Sequence, residues 1–143
     1  MKELNKVYIG PATIEDFNLV MQDKVLYARL TDALDGAAPT YNPDHYFVTK
    51  LSDYIMLFTL WEKSAGIYEA HVAVPSSSVK ASRALALLST NWIFNTGFQD
   101  CRAIYVCCPK GKIANFAARV GYQKLNESDT HITFAFTNPK FTN

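Results

Sequence analysis

The chain has 143 residues, of which 14 are Lys or Arg and 13 are Asp or Glu, and the formal net charge of +1 gives no electrostatic case for nucleic acid or an anionic membrane as a general partner. Hydrophobic residues make up 49% of the chain and charged residues 19%, which predicts one folded domain over residues 1–143. No apolar run is long enough to span a bilayer and residues 1–10 lack the apolar core of a signal peptide, so we expect a soluble protein in the cytoplasm or in a particle assembled there.

The first half of the sequence predicts a strand, a helical region and an antiparallel meander. A strand over residues 6–9 precedes Thr13, a candidate N-cap that is followed by two acidic residues. Apolar spacing continues the helical region to about residue 34, and a loop rich in Gly, Ala, Pro and Asn follows over residues 35–43. The three strands of the meander are expected over residues 46–51, 54–61 and 67–74.

The second half predicts a β-α-β-α core and a final hairpin. The strand at residues 67–74 leads through a polar loop, residues 75–80, into a helix over residues 81–95. Ligands of such units usually lie where loops leave the carboxyl ends of the strands, here near residues 74–82 and 108–112. The apolar face of the helix would comprise Ala81, Ala84, Leu85, Leu88 and Trp92. The later elements are expected as a strand over residues 102–108, a helix over 111–121 and hairpin strands over 122–125 and 132–136.

Two groups of side chains raise the question of chemistry. Glu69 and His71 alternate onto the same face of a predicted strand, where a carboxylate beside an imidazole can deprotonate an ammonium group directly or through water. The alternative is a structural polar pair, or a histidine hydrogen-bonded in the core. The cysteines, Cys101, Cys107 and Cys108, have no Cys-x-x-Cys spacing, and we expect buried, reduced thiols rather than metal ligands.

Residues 9–16, Ile-Gly-Pro-Ala-Thr-Ile-Glu-Asp, are similar to the opening pattern Ile-Arg-Pro-Ala-Thr-x-x-Asp of the GNAT superfamily of N-acetyltransferases, with Gly10 in place of the arginine. Gly121-Tyr122 is similar to the Gly-Phe pair after the last family helix, and the predicted element order is the family's. Over nearly its whole length the chain resembles a divergent, bacteriophage-type GNAT member. The resemblance implies an α/β (α+β) fold: a mixed sheet with two splayed parallel central strands, helices on both faces and a C-terminal β-hairpin.

The resemblance also implies an acetyl-CoA site where the parallel strands splay. Backbone groups of Val72, Ala73 and Val74 would pair with the pantetheine arm, and the following loop and helix start would hold the diphosphate. The residues of that loop and helix start are Ser77, Ser78, Lys80, Ala81 and Ser82, and Lys110 takes the position of a family asparagine that can help hold the CoA arm.

Several positions depart from the family pattern. The family loop is Arg/Gln-x-x-Gly-x-Gly/Ala, and its glycines allow the backbone to approach phosphate closely. Matched from Arg83-Ala84-Leu85, Ser77 takes the Arg/Gln position, while Lys80 and Ser82 take the glycine positions. Matched from Pro75 instead, every position shifts by one, and the glycines are still missing. Ala117 stands where many members carry a tyrosine as general acid.

Two functions follow from the resemblance. The first is an acetyl-CoA-dependent N-acyltransferase that acts on a primary amine of a small molecule or protein, with Glu69 and His71 as the candidate base. The second is a non-catalytic GNAT-like scaffold, such as a phage head-assembly or internal virion protein, that binds a second copy or other virion proteins. The complete strand–loop–helix frame favours the first function, and the missing glycines, tyrosine and asparagine favour the second.

Overall fold

Seven strands form one mixed sheet in the computed structural model of the chain, which describes residues 6–141. The strands are β1 Val7–Pro11, β2 Tyr46–Leu51, β3 Tyr54–Ser64, β4 Ile67–Ala73, β5 Ala103–Pro109, β6 Gln123–Glu127 and β7 His131–Thr137. Their order in the sheet is β1-β2-β3-β4-β5-β7-β6. The α-helices of the described range are α1 Ile14–Met21, α2 Lys24–Ala33, α3 Ser82–Trp92 and α4 Lys112–Val120.

Two compact units make up the chain. The first contains Met1–Thr59 and Val72–Leu85, and the second contains Leu60–His71 and Ala86–Asn143. Strands β3 and β4 contribute residues to both units. A single domain over residues 1–143 stays a prediction, and the ends of that range lie outside the described residues.

Side-chain caps start both helices of the first unit. Thr13 Oγ1 accepts the Asp16 N–H at 3.1 Å and the Asp16 carboxylate accepts the Thr13 N–H at 3.0 Å, which completes a capping box. The Asp23 carboxylate accepts the Leu26 N–H at 2.9 Å and caps α2, so the predicted helical region is two helices. The core beneath them is apolar and consists of Ala12, Phe17, Val20, Leu26, Val48, Ile55 and Leu57.

The second unit contains the parallel pair of the sheet. Ile67–Glu69 of β4 pairs in parallel with residues 103–105 of β5, which confirms the strand–helix–strand prediction. This register covers three residue pairs although both strands continue beyond it, as splayed strands do. On its other side β5 pairs antiparallel with β7 along its whole length, and β7 pairs antiparallel with β6 as the final hairpin.

Three predictions around α3 need correction. Residues 75–80 are not an open loop, because Ser76–Ala81 form a 3₁₀-helix that leads into α3. The α-helix ends at Trp92 and continues as a π-helix over Ile93–Gly97. Its buried stripe also lies about one residue later than expected. Leu85, Ser89, Thr90, Ile93 and Phe94 are buried, Leu88 and Trp92 are half-buried, and Ala84 is exposed.

The cysteines divide between two environments. Cys101 and Cys108 are buried, whereas Cys107 is exposed, so the expectation of a third buried thiol was wrong. Neighbouring residues on a strand point to opposite faces, which separates Cys107 from Cys108. Burial raises the pKa of the Cys101 thiol to about 12 and also raises the pKa of Cys108. Both buried thiols are therefore protonated and act as small apolar side chains.

Candidate functional site

Glu69 and His71 meet on one face of β4, within the second unit. The Nε2 atom of His71 lies 2.8 Å from Oε2 of Glu69, and the side chains are 57% and 32% exposed. Lys63 of β3 places its Nζ 3.4 Å from Oε1 of the same carboxylate. The structure thus brings together the two side chains that strand alternation paired, and it leaves the imidazole open to solvent.

The charges around Glu69 determine which ring nitrogen of a neutral His71 carries the lone pair. Partial burial opposes ionisation of Glu69, but the hydrogen bond and charge of His71, followed by those of Lys63, lower the pKa of the carboxyl below its ordinary value of 4.5. The ionised carboxylate can only accept, so Nε2 donates to it. In a neutral imidazole the lone pair is then on Nδ1, which is available as a base.

In the first unit, the segment of residues 75–82 is closed by internal hydrogen bonds. The Ser78 N–H donates to the Pro75 carbonyl at 2.8 Å, and the Ser82 hydroxyl donates to the Val79 carbonyl at 2.7 Å. Beyond the first residues of a 3₁₀-helix, each N–H donates to the carbonyl three residues before it. The Ser76 N–H, which precedes these bonds, donates to Oδ2 of Asp23 at 2.6 Å.

The serines of this segment have different environments. The Ser78 side chain is fully buried, and its Oγ accepts the backbone N–H of Ile55 at 2.9 Å. This contact gives Ser78 a structural role on β3. Ser77 is exposed, and Ser82 is half-buried.

The other predicted cofactor residues of the first unit are exposed or half-buried. The Lys80 ammonium lies 5.5 Å from the centre of the Tyr54 ring, in cation–π range, and the residue is exposed. Val72 is exposed, whereas Ala73, Val74 and Ala81 are half-buried. Their backbone placement at the end of β4 and the start of α3 agrees with the expected order of elements.

Lys110 belongs to the second unit and is held against the C-terminal hairpin. Its ammonium lies 3.0 Å from Oε2 of Glu127, and its N–H donates to the Thr130 carbonyl at 3.0 Å. Lys124 contacts the other oxygen of Glu127 at 2.6 Å. Hydrogen bonds from Lys124 and Lys110 lower the pKa of Glu127 to about 2. Lys110 therefore already has an anionic partner in this structure.

Sequence reasoning missed Asp23. Its position before a helical stretch is typical of an N-cap. Its second partner, Ser76, lies 53 residues further along the chain. No local pattern could indicate that contact.

Metal and membrane sites find no support within the described residues. No group of three or more His, Cys, Asp or Glu side chains in the described range is placed to hold a metal ion. None of the helices between residues 6 and 141 is long and apolar enough to cross a membrane.

Solved structures share the arrangement of these elements. The chain is similar to an acetyltransferase of the GNAT family from Bacillus anthracis, with a TM-score of 0.71 and 9% identity over 95% of this chain and 97% of that chain. The chain has the GNAT fold. It is also similar to the ribosomal-protein-S5-alanine acetyltransferase from Vibrio fischeri, with a TM-score of 0.62 and 13% identity over 99% of this chain and 98% of that one.

A third similar structure contains a CoA derivative. It is RimJ from Mycobacterium smegmatis in complex with CoA-disulfide, with a TM-score of 0.61 and 14% identity over 96% of this chain and 84% of that chain. No family model and no curated protein matches the sequence. The likeness therefore establishes the fold, and the expected mixed sheet with its parallel pair and C-terminal hairpin is confirmed.

The GNAT fold implies acetyl-CoA, and the 75–82 segment in its observed form does not fit the diphosphate of that cofactor. A diphosphate needs free backbone N–H groups at close range. Here the Ser76 N–H faces the Asp23 carboxylate, and from Ser78 onward the N–H groups are engaged in the 3₁₀-helix. A carboxylate at this place also repels an anion.

Proposed function

We propose that this chain is an N-acyltransferase of low donor affinity, which transfers an acetyl group from acetyl-CoA to a primary amine of a small molecule or protein in the cytoplasm. The hydrogen bond between Glu69 and His71 is the observation that carries this proposal. Acyl transfer to an amine requires the neutral amine, and hence a base that can reach an ammonium proton. The acetyltransferase fold supports the proposal, since it is the frame on which such a base would act.

The roles of the side chains follow from the geometry of the pair. The Nδ1 atom of His71 would take a proton from the acceptor ammonium, directly or through one water molecule. Glu69 would hold the imidazole in the tautomer with Nε2 protonated and stabilise the imidazolium that forms, as a carboxylate does beside a histidine base. Lys63 would keep Glu69 ionised. These steps place the proton on Nδ1 and leave the amine nitrogen with a free lone pair.

An acetyl-transfer assay tests the proposal. Thiol release from acetyl-CoA is followed with a panel of primary amines for the wild type, Glu69→Gln and His71→Ala. We expect each substitution to lower the rate by about 10²-fold or more, the usual contribution of a general base. His131→Ala is the matched control, because His131 is also an exposed strand histidine and its ring bonds Thr130 instead of a carboxylate.

The melting temperatures of the same variants complete the test. Both Glu69 and His71 are partly exposed, so folding should be retained in both variants. Full activity in the double variant would remove these residues from the mechanism and leave solvent as the base.

A second candidate function is a non-catalytic scaffold, such as a phage head-assembly or internal virion protein that binds a second copy of itself or other virion proteins. The closed 75–82 segment favours this alternative, because its hydrogen bonds serve the fold. The alanine at position 117, which is buried and has no proton to donate, also supports it. A wild type that neither binds acetyl-CoA nor transfers an acetyl group to any amine of the panel would favour the scaffold.

A further inference from the structure

Asp23 connects two parts of the first unit that are far apart in sequence. Its Oδ1 accepts the Leu26 N–H at 2.9 Å and caps α2, and its Oδ2 accepts the Ser76 N–H at 2.6 Å. The hydrogen bonds from Leu26 and then from Ser76 lower the pKa of the Asp23 carboxyl. At neutral pH the carboxylate is therefore ionised, and each of its oxygens has a backbone donor.

The contact with Ser76 lies at the start of the closed 75–82 segment. Further along, the Ser78 hydroxyl fixes the segment to the Ile55 N–H, and the Ser82 hydroxyl closes its last turn on the Val79 carbonyl. The Ser76 N–H precedes the first internal bond of the 3₁₀-helix, the one from Ser78 to Pro75. Short 3₁₀-helices have poor hydrogen-bond geometry, so an external acceptor at this end contributes to keeping the helix formed.

We propose that Asp23 determines the affinity of this protein for its acyl donor by holding the 75–82 segment closed. Release of the Ser76 N–H from Asp23 lets the 3₁₀-helix unwind, and backbone N–H groups become free for a diphosphate. The negative Asp23 carboxylate, which repels the diphosphate, then no longer lies at the start of the segment. The apparent dissociation constant of the donor is its intrinsic value divided by the fraction of open molecules. This proposal rests on the proposed function, because acetyl-CoA is the donor that carries the diphosphate.

Asp23→Asn separates the two bonds of the carboxylate. Asparagine is as good an N-cap as aspartate, so α2 can keep its cap when the amide oxygen faces the Leu26 N–H. Its amide has one oxygen and one NH₂ group, and in either orientation one of the two backbone N–H groups faces another donor. Asp23→Ser is a second variant, because a serine hydroxyl can cap α2 but is too short to serve both backbone donors. Asp32→Asn is the matched control, since it removes the same charge from an exposed position on α2.

Two measurements on the full chain test the proposal. Amide hydrogen exchange of Ser76 and Val79 reports whether the segment opens, and calorimetric titration with acetyl-CoA reports donor affinity. A lost hydrogen bond to a charged group changes such an equilibrium by about tenfold or more. We expect exchange to accelerate and acetyl-CoA affinity to rise by about that factor in Asp23→Asn and Asp23→Ser. Asp32→Asn should match the wild type in both measurements.

Two results would overturn the proposal. Unchanged exchange at Ser76 in both Asp23 variants would mean that Asp23 does not hold the segment closed. Faster exchange with unchanged acetyl-CoA affinity would mean that the closed segment does not limit donor binding. Failure of the proposed function gives a different result, because amide exchange and calorimetry measure opening of the segment and acetyl-CoA binding, and neither depends on acetyl transfer. Tighter binding in the variants without any acetyl transfer supports the role of Asp23 and removes only the enzymatic function.

Discussion

The Glu69–His71 pair and the 75–82 segment differ in what their polar groups bond to. Glu69 and His71 bond to each other at 2.8 Å, and the imidazole side chain is more than half exposed to solvent. In the segment, the Ser78 hydroxyl accepts from the Ile55 N–H, the Ser82 hydroxyl donates to the Val79 carbonyl, and the Ser76 N–H donates to Asp23. On one strand, therefore, a polar pair stays partly exposed to solvent, while the segment that follows the strand uses its polar groups to hold the fold together.

The largest expected effect concerns α3, the helix that continues the closed segment. Leu85→Ala should lower the free energy of unfolding by about 2–5 kcal/mol, because Leu85 is fully buried. Leu88→Ala should cost less, since Leu88 is half-buried. Leu87→Ala is the matched control, and at 40% exposure it should change stability by about 0.5 kcal/mol or less. Thermal or urea melts of the three variants check this order. Equal losses of unfolding free energy in the three variants would mean that the assigned buried face of α3 is wrong.

The closed segment itself should be broken by Ser78→Ala. Removal of the hydroxyl leaves the buried N–H of Ile55 without its acceptor, at a cost of about 1–3 kcal/mol. Ser77→Ala is the control, because Ser77 is exposed one residue away. If both serine variants melt at the temperature of the wild type, the Ser78 hydroxyl does not stabilise the fold through Ile55.

Lys80→Glu tests whether the 75–82 segment takes part in binding the acyl donor. Lys80 is a flexible point charge that can attract the anion of the donor, and glutamate replaces the attraction with repulsion. We expect weak acetyl-CoA binding to become undetectable by calorimetry. Arg29→Glu makes the same charge change at an exposed residue of α2 and should leave binding near the wild-type value. Binding by Lys80→Glu at wild-type strength would exclude Lys80 from the donor site.

The smallest effect is expected at Glu127, which lies in neither region. The pKa of Glu127 in the folded protein is about 2, below its ordinary pKa of 4.5. The ionised carboxylate therefore stabilises the fold fully above pH 4.5, and this contribution is lost as the pH falls towards 2. Glu127→Gln removes this contribution. The melting temperatures of the wild type and the variant should therefore differ slightly near neutral pH and converge at the acid end. A difference that is constant across this pH range would contradict the assigned ion pairs with Lys110 and Lys124.

The sequence predicts the parts of this molecule that are governed by local pattern. Period-two alternation placed Glu69 and His71 on one face, and residues 46–51 match β2 without an error in either bound. The two contacts that anchor the 75–82 segment to other elements are different, because they join residues 23 and 53 positions apart. Such contacts depend on how the strands and helices pack. Serine and proline composition alone therefore predicted an open loop, residues 75–80, where a 3₁₀-helix forms.

Calorimetric titration of acetyl-CoA into the wild-type chain tests the main proposal most directly, which is that this acyltransferase binds its donor weakly because the 75–82 segment is closed. We predict measurable but weak binding, with a Kd of roughly 10 μM to 1 mM, or about −7 to −4 kcal/mol. A submicromolar Kd would contradict the claim by showing that the 75–82 segment binds the diphosphate well in its present form. The absence of any binding would contradict the proposed acyltransferase.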